Sequence, residues 1–131
     1  MLYFWIAIGS AIGGVGRYWC SELIVQRLGD SFPWHTITVN ILGSFIIGLF
    51  AGLTDGDGRL TLNHEFRQFV MIGLCGGYTT FSTFSLQTLN LFHNGEFLQA
   101  GFNIMLSVAL CLAFVWLGYT LAMLLTPLSK I

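Results

Sequence analysis

Four long apolar stretches, separated by short polar ones, make up most of the 131-residue chain. A helix needs about 20 residues to cross the hydrocarbon core of a bilayer, and each stretch has about that length or more. The connecting segments, such as LGDSFP and HNGE, are short, so consecutive helices are expected to be antiparallel neighbours. The pattern predicts an all-α membrane protein with one domain over residues 1–131 and helices at about 2–26, 34–53, 66–92 and 97–125, the last one closed by Pro127.

The composition agrees with a lipid environment, because 55% of the residues are hydrophobic and only 8% are charged. An ordinary soluble domain has about 25% charged residues. A net charge of −1 without a basic run gives no reason to expect nucleic-acid binding. The three cysteines, Cys20, Cys75 and Cys111, lie in apolar stretches without a C-x-x-C motif, so neither a disulfide framework nor a zinc site is predicted.

The basic residues give only a weak signal for the orientation of the chain in the membrane. If both termini face one side, that side has Arg59, Arg67 and Lys130. The other side then has Arg27, and also Arg17 if its side chain reaches that surface. This near balance predicts insertion in both orientations, and a fixed topology with a poor signal is the alternative.

Small residues recur at intervals of four, the spacing that lets membrane helices approach closely. Such ridges serve either packing within one subunit or an interface between subunits, and the spacing does not distinguish the two. The ridges are Gly9 and Gly13 in the first helix, Ser44, Gly48 and Gly52 in the second, and Gly73 and Gly77 in the third.

The third apolar stretch contains an unusual segment, GGYTTFSTFS at 76–85, in which six of the eight residues after the glycines up to Ser85 carry a hydroxyl group. Within a membrane, non-helical backbone is tolerated only where protein buries it or where it lines a water-filled cavity. The Gly76-Gly77 pair therefore predicts a break in the third helix near the membrane centre. The groups that such a break frees would lie near Tyr78, Thr79 and Thr80. The freed carbonyl groups favour a cation, and the freed N–H groups favour an anion. A glycine pair used only for packing is the alternative.

The residues after the glycines indicate an anion pathway. Phe81 and Phe84 are three residues apart and share a helix face, and Ser82 and Ser85 share an adjoining one. The edge of an aromatic ring is electropositive, so two ring edges can contact an anion without the full charge that would hold it too tightly for conduction. The hydroxyl groups, including that of Thr83, can replace lost hydration. Packing or lipid contact is the usual role of a single phenylalanine.

Polar side chains on two other helices are candidates for the same pathway. The amide of Asn40 in the second helix can donate two hydrogen bonds. In the fourth helix, a polar stripe with four-residue spacing follows one face. For both, hydrogen bonding between helices is the alternative. The stripe consists of Asn103, Ser107 and Cys111.

Arg17 is the only cation well inside a predicted span, and ionisable groups at such positions are commonly functional. It is a candidate for attracting anions into a vestibule, and the alternatives are snorkelling or a pair with Glu22. His35, His64 and His93 lie near helix ends or in a loop, so they are expected to be interfacial.

Three segments, GGYTTFSTFS at 76–85, TVNILGSFIIG at 38–48 and GGVGRYW at 13–19, resemble the small fluoride channels called Fluc or CrcB. The resemblance covers nearly the whole chain. It implies an antiparallel, dual-topology homodimer with two fluoride pores in a bacterial inner membrane. It also implies a passive channel that exports fluoride and protects the cell from fluoride toxicity, with fluoride, the lipid bilayer and a second copy as partners.

The resemblance further implies roles for individual residues. A structural sodium ion on the dimer axis would be held by the backbone carbonyl groups of Gly76 and Thr79. Tyr78 stands where leucine is more usual, and it is expected to alter packing without altering selectivity. The residues implied to line the pore or its vestibule are Phe81, Phe84, Asn40, Asn103, Ser107, Cys111 and Arg17.

Two other functional classes are alternatives to a channel. A proton-coupled exporter of the small multidrug type needs a carboxylate inside the membrane, whereas the second, third and fourth helices contain none and Glu22 lies towards the end of the first. A non-conducting assembly subunit would account for the small-residue ridges but not for the hydroxyl groups and rings of residues 78–85. The sequence shows no nucleophile–base pair or metal cluster, so no enzyme is predicted.

Overall fold

The structure, a computed structural model, describes residues 1–55 and 60–126, and all regular structure in these ranges is helical. The all-α class is therefore confirmed for the described residues. Arg59, Pro127 and Lys130, on which the orientation signal and the end of the last helix partly depend, lie outside them. The elements are α1 (Leu2–Leu28), α2 (Trp34–Thr54), α3 (His64–Gln68), a π-helical segment (Phe69–Cys75), α4 (Gly76–Tyr78), α5 (Phe81–His93) and α6 (Phe97–Leu125).

The observed helices lie close to the predicted ranges, and the described residues contain three segments that are long and apolar enough to cross a membrane. The stretch from α3 to α5 acts as one such segment, His64–His93. The 27 residues of α1 are not among the three, because its four glycines, Arg17 and Glu22 reduce its apolar character. The other two are Trp34–Thr54 and Phe97–Leu125.

Local signals fix where several helices begin and end. Gly29 after α1 and Gly95 after α5 both have a φ of 77°, which glycine adopts without a steric penalty. The side chain of Asn63 accepts a hydrogen bond of 2.7 Å from the Phe66 N–H and so caps the start of α3.

The small-residue ridges are contacts between helices of one subunit. α1 packs along the π-helical segment and α4. A Cβ atom added to Gly9 would lie 2.9 Å from the Cα of Gly73, and one added to Gly77 would lie 2.6 Å from the carbonyl oxygen of Ser10. Neither distance leaves room for a side chain, so glycine is what allows these two backbones to touch.

The second ridge has the same role between α2 and α6, which pack along each other. A Cβ atom on Gly48 would overlap the carbonyl group of Val115, and one on Gly118 would overlap the carbonyl group of Phe45. The described residues thus use these ridges for packing within the subunit, which was one of the two alternatives for their spacing.

The glycine pair in the third span is itself helical, and the non-helical residues follow it, within the stretch near Tyr78, Thr79 and Thr80 where the freed backbone groups were expected. Gly76 has the helical dihedral angles φ −65° and ψ −37°, and α4 runs through both glycines to Tyr78. The extended residues are Thr79, with φ −88° and ψ 159°, and Thr80, with φ −152° and ψ 121°. Gly77 is needed for the close approach of α1, so its presence reports packing and not a change of backbone direction.

Candidate functional site

The extended residue Thr80 is braced by the side chain of Asn40 on α2. The Thr80 N–H donates to Asn40 Oδ1 at 2.8 Å, and Asn40 Nδ2 donates to the Thr80 carbonyl oxygen at 3.0 Å. In a continuous helix the Thr80 N–H would bond to the carbonyl group of Gly76, four residues earlier. The amide of Asn40 therefore replaces hydrogen bonds that the backbone loses between α4 and α5.

The hydroxyl group of Thr80 caps the start of α5. Its Oγ1 accepts from the Thr83 N–H at 3.2 Å and donates to Thr83 Oγ1 at 3.1 Å. Ser82 Oγ lies 3.4 Å from the same atom. The cap satisfies one of the N–H groups that a helix leaves free at its first turn.

Two more hydroxyl groups of the 78–85 segment bond to the backbone of their own helix. Thr79 Oγ1 donates to the carbonyl oxygen of Cys75 at 2.9 Å, and Ser85 Oγ donates to that of Phe81 at 3.0 Å. Some of the hydroxyl groups that suggested an anion pathway therefore donate hydrogen bonds to backbone carbonyl groups one turn earlier. The side chains of Ser82, Thr83 and Ser85 nevertheless remain exposed on this subunit.

A cavity of about 390 Å³ lies beside the extended residues and brings together predicted site residues from several helices. No charged side chain lines it. Its wall also contains Gly76 and Thr79, the two residues expected to hold a cation. The predicted pathway residues that line it are Asn40, Phe81, Phe84, Ser107 and Cys111.

The two phenylalanines of this cavity have different environments. Their ring centroids are 5.4 Å apart and their planes are inclined by 50°. Phe84 is buried, with 9% of its surface exposed, whereas Phe81 is 76% exposed. Phe84 is thus held by its own subunit, and the ring of Phe81 is mostly uncovered by it.

The polar stripe of α6 divides into two parts. Asn103 is completely buried, and its Nδ2 donates to Thr88 Oγ1 at 2.9 Å. Thr88 Oγ1 in turn donates to the Phe84 carbonyl oxygen at 2.8 Å, and Ser107 Oγ donates to Asn103 Oδ1 at 3.4 Å. Asn103 therefore ties α6 to α5 and does not line the cavity, unlike Ser107 and Cys111.

A second cavity, of about 440 Å³, lies between α1, α2 and α5 and shares Thr80 with the first. Arg17 lines it, and its Nη1 donates to the Thr79 carbonyl oxygen at 3.4 Å. Glu22 also lines this cavity, but the described residues contain no ion pair between it and Arg17. The predicted vestibule residue thus lies next to the extended segment and contacts its backbone.

Sequence reasoning missed two groups of residues near these cavities. Thr88 continues the hydroxyl pattern one turn beyond Phe84, which is the signal that could have identified it. His35, which was expected to be interfacial like His64 and His93, is half-buried, and its Nε2 lies 3.1 Å from Gln87 Nε2. No local pattern connects residues 35 and 87.

The chain offers backbone oxygen atoms, and not a side-chain cluster, as ligands for a cation. Among the described residues, no group of three or more histidine, cysteine or acidic side chains is placed to hold a metal ion. The carbonyl group of Gly76 loses its helical partner, because the Thr80 N–H donates to Asn40. The carbonyl oxygen of Thr79 accepts the long bond from Arg17 and retains a second lone pair. Both carbonyl groups are therefore compatible with sodium, a cation that binds oxygen ligands.

Comparison with known proteins places the chain in a family. The family model described as "CrcB-like protein, Camphor Resistance (CrcB)" matches residues 4–119. A protein of Methylocella silvestris named "Fluoride-specific ion channel FluC" is 54% identical over 122 residues, which are 93% of each chain. Proteins with the same name from Paramagnetospirillum magneticum and Opitutus terrae are 53% and 52% identical, covering 93% and 98% of this chain and 95% and 97% of their own. The chain therefore belongs to the CrcB family.

Proposed function

We propose that this protein is a fluoride-selective ion channel that passively exports fluoride and so protects the cell from its toxicity. The main support for this proposal is the uncharged cavity. Its wall contains the rings of Phe81 and Phe84, the amide of Asn40, and Ser107 and Cys111 of α6. Ring edges, amides and hydroxyl groups bind an anion weakly enough to release it, as conduction requires. The names of the relatives support fluoride as the ion.

A proton-coupled exporter is less well supported by the same cavity. Such a transporter needs a carboxylate that exchanges protons along the substrate path. The cavity beside Phe84 has no acidic residue, and Glu22, which lines the second cavity, is exposed. The relatives from Methylocella silvestris and Opitutus terrae are both named as channels.

Fluoride release from liposomes tests the proposed function. We expect purified protein in liposomes to release trapped fluoride rapidly once a potassium ionophore removes the opposing potential, and to retain chloride under the same conditions. Fluoride and chloride electrodes measure the two ions, and protein-free liposomes are the control. Release of chloride as fast as fluoride, or fluoride release no faster than from protein-free liposomes, would contradict the proposal.

The working channel in this proposal is an antiparallel, dual-topology homodimer. In each subunit four segments, namely α1, α2, the stretch from α3 to α5, and α6, cross the bacterial inner membrane. One subunit leaves the ring of Phe81 uncovered, together with the hydroxyl groups of Ser82, Thr83 and Ser85, on a segment that has to cross the bilayer. Polar groups inside a membrane are unfavourable against lipid, so a second copy is the natural cover for this face. A reagent that does not cross the membrane should label a fraction of the tags at each terminus in intact cells and the remaining tags only after the cells are permeabilised. Labelling of all tags, or of none, in intact cells would rule out the antiparallel arrangement.

A structural sodium ion on the axis of that dimer is part of the same proposal. The carbonyl oxygen atoms of Gly76 and Thr79 from the two copies would be its ligands, and a bound cation would offset the repulsion among these oxygen atoms. Sodium is then expected to raise the thermal unfolding temperature of the purified protein, compared with an organic cation at equal ionic strength. The change Thr79→Val, which keeps the carbonyl group, should preserve this effect. Equal unfolding temperatures in both salts would argue against the ion.

A further inference from the structure

His35 and Gln87 connect the start of α2 to the helix that carries the two cavity phenylalanines. His35 Nε2 and Gln87 Nε2 are 3.1 Å apart, which is a hydrogen-bond distance between residues 52 positions apart in sequence. Gln87 lies on α5, three residues after Phe84 and four after Thr83, so it is on the same side of that helix as both. The pair therefore fixes α5 against α2 close to the proposed ion pathway.

The hydrogen bond between these two side chains leaves a second polar atom of each one unpaired. His35 Nδ1 and Gln87 Oε1 are buried and have no hydrogen-bond partner. A neutral ring accepts a bond from the Gln87 amide at Nε2 and carries its hydrogen atom on Nδ1. A protonated ring can keep the link if the amide turns, because Nε2–H then donates to the amide oxygen atom. The contact is compatible with both protonation states of the ring.

The charges around His35 come from several elements. It lines the second cavity together with Arg17 and Glu22 of α1. The carboxylate of Asp30, in the connection between α1 and α2, also acts on the ring. From α5 it faces neutral groups, Gln87 and Thr83. Burial of the ring is the largest influence on its protonation and disfavours the charged form, whereas the Asp30 carboxylate favours it.

We propose that His35, held in place by Gln87, makes the channel respond to pH. Protonation of His35 raises the positive potential of the second cavity and thereby increases the supply of fluoride to the pathway. The inference rests on the proposed channel function. The second cavity shares Thr80 with the cavity of Phe81 and Phe84, so a charge on His35 acts on an anion at the junction of the two. It does so without contacting the rings.

Fluoride currents across planar bilayers, with the same pH on both sides, test the pair. Current is measured because neutral hydrogen fluoride, which crosses lipid by itself, carries none. Wild-type current is expected to rise about two- to threefold as the pH falls from about 8 to about 5, a range low enough to protonate a partly buried histidine, since one unit charge then acts across the cavity. His35→Gln should remove this rise and keep the current at its high-pH value. His93→Gln, a change at an exposed histidine at the end of α5, should retain the rise.

The change Gln87→Glu tests the pair without removing the histidine. A carboxylate next to the ring favours its protonated form, so the midpoint of the rise should move to higher pH. The double variant with His35→Gln should be flat again. A pH-independent wild-type current, a rise that persists in His35→Gln, or an unmoved midpoint in Gln87→Glu would each overturn the inference while leaving the channel function intact. No wild-type fluoride current at any pH would overturn the channel function, and this inference with it.

Discussion

Replacing either Phe81 or Phe84 with isoleucine is expected to slow fluoride efflux from liposomes about tenfold or more, which corresponds to a barrier raised by at least about 1.4 kcal/mol. Both rings line the uncharged cavity, and in the proposed pathway their electropositive edges contact the moving anion. Isoleucine keeps the site apolar but has no such edge. The loss should appear in the rate of release and not in the amount of protein that inserts into the liposomes.

The two substitutions should differ in their effect on stability. Phe84 is 9% exposed, so Phe84→Ile changes the packing between α5 and its neighbours and should cost about 1 kcal/mol of unfolding free energy. Phe81 is 76% exposed on one subunit, so its replacement should cost that subunit little. Thermal unfolding in detergent separates these effects from the effect on flux.

Each substitution has a matched control on α6. Phe114 is half-buried against Phe45, with 6.5 Å between the ring centroids, and it does not line the cavity. Phe114→Ile therefore has a packing cost like that of Phe84→Ile. Phe102 is 57% exposed and also lies away from this cavity, so Phe102→Ile is the control for Phe81→Ile. Wild-type flux in both cavity variants, or equal losses in the controls, would show that the rings serve packing and not conduction.

The helices and the approximate place of the extended residues were predictable from the sequence, but the side chain that supports these residues was not. Apolar runs of the length of α2 and α6 have few alternatives in a membrane protein, so their ends agreed with expectation. The glycine pair itself is helical, and Gly77 serves the contact with Ser10, because glycine also permits close packing. Thr80 can be extended because Asn40, 40 residues earlier, supplies the missing hydrogen bonds, and no local pattern reveals such a long-range partner.

In the candidate site too, the spacing of residues along one helix was predictable, but contacts between different helices were not. Helical spacing placed Ser107 and Cys111 on one face, and both line the cavity. Spacing could not show that Asn103, on the same stripe, meets Thr88 of α5 and is buried there. Asn103 thus makes the hydrogen bond between helices that was one alternative for the stripe, and the role of Ser107 and Cys111 in an ion pathway stays a prediction.

The change Asn40→Asp is expected to abolish fluoride flux almost completely, because of the two bonds that Asn40 makes to Thr80. One carboxylate oxygen atom can still accept from the Thr80 N–H, but the other replaces the Nδ2 donor that lies 3.0 Å from the Thr80 carbonyl oxygen. Two oxygen atoms without a hydrogen atom between them repel each other. An ionised carboxylate about 5 Å from a fluoride ion, at an effective dielectric constant of about 20, also adds about 3 kcal/mol of repulsion, or roughly a hundredfold in rate.

The variants Asn40→Ser and Asn90→Asp separate the causes of that loss. Serine is too short to make both bonds to Thr80, so Asn40→Ser should lower stability by about 1 kcal/mol per lost bond and reduce flux less than aspartate does. Asn90 is exposed near the end of α5, and Asn90→Asp adds the same charge outside both cavities, so it should leave flux close to wild type. Efflux at about pH 8, where a carboxylate of ordinary pKa is ionised, is the measurement. If Asn40→Asp conducts as well as Asn40→Ser, the carboxylate does not face the ion, and Asn40 acts only as the brace of Thr80.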